Sequence, residues 1–270
     1  NLTSAATFCA DAKKSTPDDE EVRGLAVGAS GLSAAFAALE VTGLADALGF
    51  ARVGSASDTC GVRFTKATSI PTGPPTAEVS QDLLQQGVML VDTALVDLAG
   101  ISADVIFSFD LGNLPTCTAL VGRPPVEIDF GDVLVGRAIL NLLGAFFHAG
   151  TAYDIRFDLR GPVNDGSSAR DVFLANPNLL TIRGSGNASS ELNLARNNLD
   201  AALTAFVDAI DSISAETDDQ SNDLFVLVPA DQRRTSLWRE AAIRLRTALH
   251  ETAVFEASVF GFTSNQRLSL

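Results

Sequence analysis

Tryptophan and tyrosine are nearly absent from this 270-residue chain, which has one of each, Trp238 and Tyr153, against 16 Phe. Phe carries no polar handle, so this inventory suits a dry interior better than a wet recognition surface, where Tyr and Trp are favoured. That interior is either a Phe-rich core or an apolar ligand cavity. Basic residues are also scarce, 19 against 33 acidic, which leaves a formal charge of -14 and a pI near 4.4. Such a field repels phosphate backbones and excludes general nucleic-acid binding.

Catalytic signatures are missing as well. There is no GxSxG elbow, no phosphate-binding glycine loop and no HExxH helix, and the two histidines, His148 and His250, cannot by themselves build a zinc site. The sequence predicts no enzyme, no cofactor and no metal. The run ETDDQSND over 216–223 alternates oxygen-bearing side chains as a calcium loop does. It lacks the Gly at the sharp turn and the closing Glu of an EF-hand, and reads as a connector between helices.

The three cysteines, Cys9, Cys60 and Cys117, form no CxxC. The loop contexts SDTCGV and LPTCTA suit a long-range disulfide in an exported protein, with Cys9 either a buried thiol or the alternative partner. No export signal opens the chain, so a mature or trimmed form is expected, with sequons at Asn1 and Asn187.

What is abundant is apolar surface: 46% hydrophobic residues and a mean hydropathy of +0.21. It concentrates in FGDVLVGRAILNLLGAFFHAGTAYDIRFD, Phe130 to Asp158. Between Val133 and Ala149 the polar exceptions Arg137, Asn141 and His148 recur at steps of four and seven. On a helix they make one narrow stripe along an apolar rod. Its length is at the lower limit for a bilayer span, and a mid-helix Arg makes spanning costly. The rod is expected to be a central helix wrapped by other helices.

Helical texture surrounds it. Short helices are expected over 2–14 and 44–50, and a longer one from Pro17, with Asp18 to Glu21 in its first turn, to about Val41. The glycines and alanines of that longer helix permit close helix approach. Residues 52–76 read as a long Pro/Gly-rich loop. Helix returns over 76–99, while ADVIFSFDLGNLP reads as a short helix because its strand-like alternation has no obvious partner. Ser189 to Glu216 is the clearest amphipath, with Leu192, Leu199, Phe206 and Ile213 seven apart. The last helix is expected from about Asp231 to Phe260, with Leu237, Ala241, Leu245, Ala248, Thr252 and Phe255 inward. Its Arg233, Arg234, Arg239, Arg244 and Arg246 form either an internal match for Asp218, Asp219 and Asp223, the favoured reading, or a landing patch for an anionic surface.

The expected fold is therefore all-α: a bundle of antiparallel helix pairs with helical-repeat texture and long loops, in one domain over 1–270, divisible into halves at 1–125 and 126–270. The segment order DVLVGRAILNLLGAFFHAGTAYDIRFDL, FLANPNLLTIRG and LNLARNNLDAALTAFVDAIDSISAETDDQSNDLF resembles exported bacterial helical lipoproteins of tetratricopeptide-like texture. Among these is the outer-membrane-associated lipoprotein component of bacterial sterol transport. No lipobox cysteine and no spaced Trp, Gly, Tyr and Pro signature accompany the resemblance. It implies a periplasmic, outer-membrane-associated protein with an apolar cavity. Such a protein would receive a sterol-like lipid from other envelope transport components and be held at the membrane peripherally through a removed N-terminal lipid anchor.

On that reading Leu140, Leu143, Phe146 and Phe147 of the rod and Leu199, Leu203 and Phe206 of the facing helix line the ligand site. Asn141, Tyr153 or His148 binds its hydroxyl. The competing expectation is a helical-repeat scaffold that binds another cell-envelope protein and uses its Phe residues as core.

Overall fold

The computed structural model describes residues 52–53, 63–64, 76–109, 125–156, 164–184, 187–217, 222–227, 232–251, 253–256 and 265–268. The expected helices before residue 52, all three cysteines and Asn1 lie outside the described residues. The elements are β1 (Arg52–Val53), β2 (Arg63–Phe64), α1 (Thr76–Ala99), β3 (Phe107–Phe109), β4 (Val126–Ile128), α2 (Phe130–Ala152), α3 (Ala169–Ala175), α4 (Ala188–Ala215), α5 (Gln232–Ala248), β5 (Ala253–Glu256) and β6 (Asn265–Leu268). The described region is mostly helical, as its periodicity predicts. Its strands form three small antiparallel ribbons, β1 with β2, β3 with β4 and β5 with β6.

Helix α2 starts sharply because Asp129 and Asp132 form a capping box. The Asp129 carboxylate accepts from the Asp132 amide at 3.0 Å, and Asp132 accepts from the Asp129 amide at 3.3 Å. Two otherwise orphaned amides are thereby satisfied. The same device, Ser168 with Asp171, opens α3, which stops at Asn176 before Pro177.

The four long helices lie in a row, each antiparallel to the next. On one flank of α2, Gly87 of α1 meets the Phe147 ring and Leu98 approaches Gly136. On the other, Ile213 of α4 meets Gly131, and Glu191 meets His148. Beyond α4, Asp211 and Asp200 pair with Arg239 and Arg246 of α5. The main core lies between α1 and α2, where Val91, Ala94, Leu98, Ile101 and Val105 pack with Val133, Leu140 and Phe147. Each large apolar side chain removed from water contributes about 1.5–3 kcal/mol.

Two expectations about element type are corrected. The VIFSF segment is not helical: Phe107–Phe109 is a strand whose partner, Val126–Ile128, lies across the proline-containing connector, with Phe107 opposite Ile128. The final helix stops at Ala248 rather than near Phe260, and Phe255 sits in β5 opposite Gln266. Alternating and β-branched residues in TAVFE favour a strand there. The inward side of α5 consists of Thr235, Ala242, Ala248 and then Leu249, whereas Leu237 is exposed.

Three of the basic residues of α5 have acidic partners on helices, while Asp218 and Asp219 of the expected match lie outside the described residues. Arg239 and Arg246 pair with Asp211 and Asp200 of α4, and Arg244 pairs with Glu240 on its own helix.

Candidate functional site

Helix α2 is long and apolar enough to cross a membrane by length and composition. It lies between α1 and α4, and its polar stripe turns toward the seam where both neighbours approach. Arg137 reaches the end of α1 and donates to the carbonyls of Leu98, at 2.6 Å, and Ile101, at 3.3 Å. It thereby ties α2 to the carbonyls at and just beyond the end of α1, and its guanidinium sits 5.5 Å from the centre of the Phe130 ring. Burial lowers the Arg137 pKa below its ordinary value. Asn141 donates to the Arg137 carbonyl on its own helix. His148, almost fully buried, places Nδ1 2.6 Å from Glu191 Oε2.

Around this last pair is a cavity of about 350 Å³, lined in part by Gln85, Thr151, Arg183, Asn187 and Glu191. The Thr151 hydroxyl donates to the His148 carbonyl at 2.8 Å and lies 3.2 Å from Glu191 Oε2. Arg183 is held by a short ribbon in which its amide donates to the Ala152 carbonyl and Asp154 exchanges backbone bonds with Leu180 and Thr181. Leu180 takes a left-handed backbone, φ 59°, to complete that turn. A second cavity, of about 340 Å³, lies between α4 and α5 beside Asp208, Arg246 and His250.

At the opposite end of α2, Asp129, Glu216 and Asp223 bring carboxylate oxygens within 4.8 Å of one another. Glu216 and Asp223 are the two ends of the acidic connector, and the three groups offer the oxygen donors that a hard cation takes. Asp132 lies beside them and accepts from the Phe225 amide at 3.0 Å. Burial, with the neighbouring Asp129 and Asp223 charges, outweighs the hydrogen bonds and raises its pKa to about 6.

The residues expected to line a lipid site are dispersed. Leu140 and Phe147 are buried in the α1–α2 core, and Leu143 packs against it. Asn141 is half-buried in the seam. Phe146 is 64% exposed on the outer side of α2. Tyr153 ends α2 in a bridge with Ile182. Leu199, Leu203 and Phe206 are half-buried on α4, whose fully buried line consists mainly of alanines, Ala195, Ala202, Ala205 and Ala209. Neither of the two cavities described above is lined by any of these residues.

Sequence reasoning singled out His148 but missed Glu191, Thr151 and Arg183, which no motif links. Asp132 was legible in principle, since the D-x-x-D spacing before an apolar run is a capping signal.

Opposite the polar stripe, Ile139, Leu142 and Phe146 follow one another at steps of three and four and are 50%, 56% and 64% exposed. Comparison of the chain with family profiles, with characterised proteins and with solved structures finds no match.

Proposed function

We propose that the protein is a helical adaptor that uses the outer face of α2 to bind an apolar surface of another cell-envelope protein. The antiparallel packing of α1, α2, α4 and α5 supports this reading, since a row of helices leaves outward faces free to meet a partner. The observation that carries this reading is the strip of Ile139, Leu142 and Phe146 on the otherwise best-packed helix. A contiguous apolar patch at helical spacing is the form in which amphipathic helices engage partners.

A lipid-carrier role is the second reading, favoured by the apolar length of α2 and the same outward strip. One experiment separates the two. A photo-crosslinking residue at Leu142, activated in envelope fractions, gives a discrete protein adduct on the adaptor reading, and I139S/F146S in the same chain abolishes it. A lipid adduct with no protein adduct supports the carrier instead. Absence of both refutes the two readings together.

A further inference from the structure

We propose that the cavity at the junction of α1, α2 and α4 is a binding site for a small zwitterion, a molecule carrying a carboxylate and an ammonium group a few bonds apart. The cavity is at the small end of ligand pockets, roughly 300–1,000 Å³, and its lining carries both charge signs.

Arg183 and Glu191 both face this space, yet no ion pair joins them, because each is held elsewhere. Glu191 Oε2 takes the bonds from His148 and Thr151, and Oε1 makes no hydrogen bond among the described residues. Arg183 is fixed through its backbone to Ala152, and its side chain makes one long bond, 3.4 Å, from Nη1 to the Thr151 carbonyl. The nearby carboxylate of Asp154, which feels the Arg183 charge, accepts from Nε and Nη2 of Arg156. A cation and a carboxylate thus share one small cavity without neutralising each other.

A guanidinium with free donors takes a carboxylate, and a carboxylate with a free oxygen takes an ammonium. Glu191 and Gln85 supply acceptors on the ammonium side.

The test is isothermal titration of the full chain with neutral L-α-amino acids, each assayed separately, and with acetate and ethylamine as half-ligands. At least one amino acid is expected to bind with a Kd of a few millimolar or tighter, and both half-ligands at least tenfold more weakly. Arg183→Gln and Glu191→Gln are each expected to weaken that amino acid at least tenfold. Arg183 lies on the ribbon outside the core, so its variant decides the matter should Glu191→Gln fail to fold. Failure of every amino acid to bind, acetate or ethylamine binding as tightly, or an unchanged Kd in Arg183→Gln overturns the proposal.

Discussion

His148 and Glu191, 43 residues apart in sequence, meet at 2.6 Å and tie the C-terminal part of α2 to the first turn of α4. His148 is buried, so removing either partner leaves the other's polar atom without its bond. His148→Ala is expected to lower stability by about 1–3 kcal/mol, read from urea unfolding. Combined with Glu191→Ala, the loss should be smaller than the sum of the single losses. Strict additivity would show that the two side chains do not act as a unit.

Gly87 is the point at which α1 comes closest to Phe147. A Cβ placed there would lie 2.8 Å from the ring. Gly87→Ala gains helix propensity yet is expected to destabilise by about 1–3 kcal/mol through overpacking. Phe147→Leu in the same chain should recover part of that loss. A thermal melt in which Gly87→Ala is more stable than wild type contradicts the packing described.

Asp132 titrates near pH 6 in the folded protein, mainly because it is buried, whereas an unfolded Asp titrates near 3.9. The folded state therefore binds the proton more tightly, and this contribution to stability is present at low pH and lost as pH rises from about 4 through 6. Asp132→Asn is expected to flatten that part of the stability profile. Its advantage over wild type should be greatest above pH 6 and fall away below pH 4. Urea midpoints at half-unit pH steps provide the check, and identical slopes in the two proteins would refute it.

Arg239 and Asp211 form a two-bond pair at 2.7 and 2.8 Å, with both side chains largely exposed. The hydrogen bonds from Arg239 hold the Asp211 pKa below the usual carboxylate range. Solvent and salt screen such a pair, so Arg239→Ala is expected to lower the urea midpoint only slightly. The cost should shrink further in molar salt. A larger, salt-independent loss would mean that the Arg239 stem carries packing that its exposure does not suggest.

The helices were legible where local signals agree. The 76–99 apolar period matches α1, and the Ser189 to Glu216 amphipath matches α4 to within a residue at each end. The VIFSF strand was misread because its pairing segment is distant in sequence and short. The end of α5 was misread because apolar spacing alone does not mark where a helix gives way to an alternating strand. Of the seam site, His148 was visible as a polar break in an apolar rod. Glu191 and Arg183 were not, because in an acidic chain one glutamate or one arginine carries no local mark of its partner.

The sequence by itself determined that Arg137, Asn141 and His148 share one side of a helix and that Ile139, Leu142 and Phe146 share the other, since periodicity fixes angular position around the axis. It also determined the start of α2, because a capping box acts within four residues. Only the tertiary structure decided which side faces inward. Arg137 finds the Leu98 and Ile101 carbonyls at the end of α1 and His148 finds Glu191, so the polar stripe is drawn into the seam and the apolar strip is left outside. Hydrophobic burial is non-directional and roughly proportional to area, whereas these polar partners have fixed positions and a high cost if left unmet. The partners therefore set the rotation of the helix.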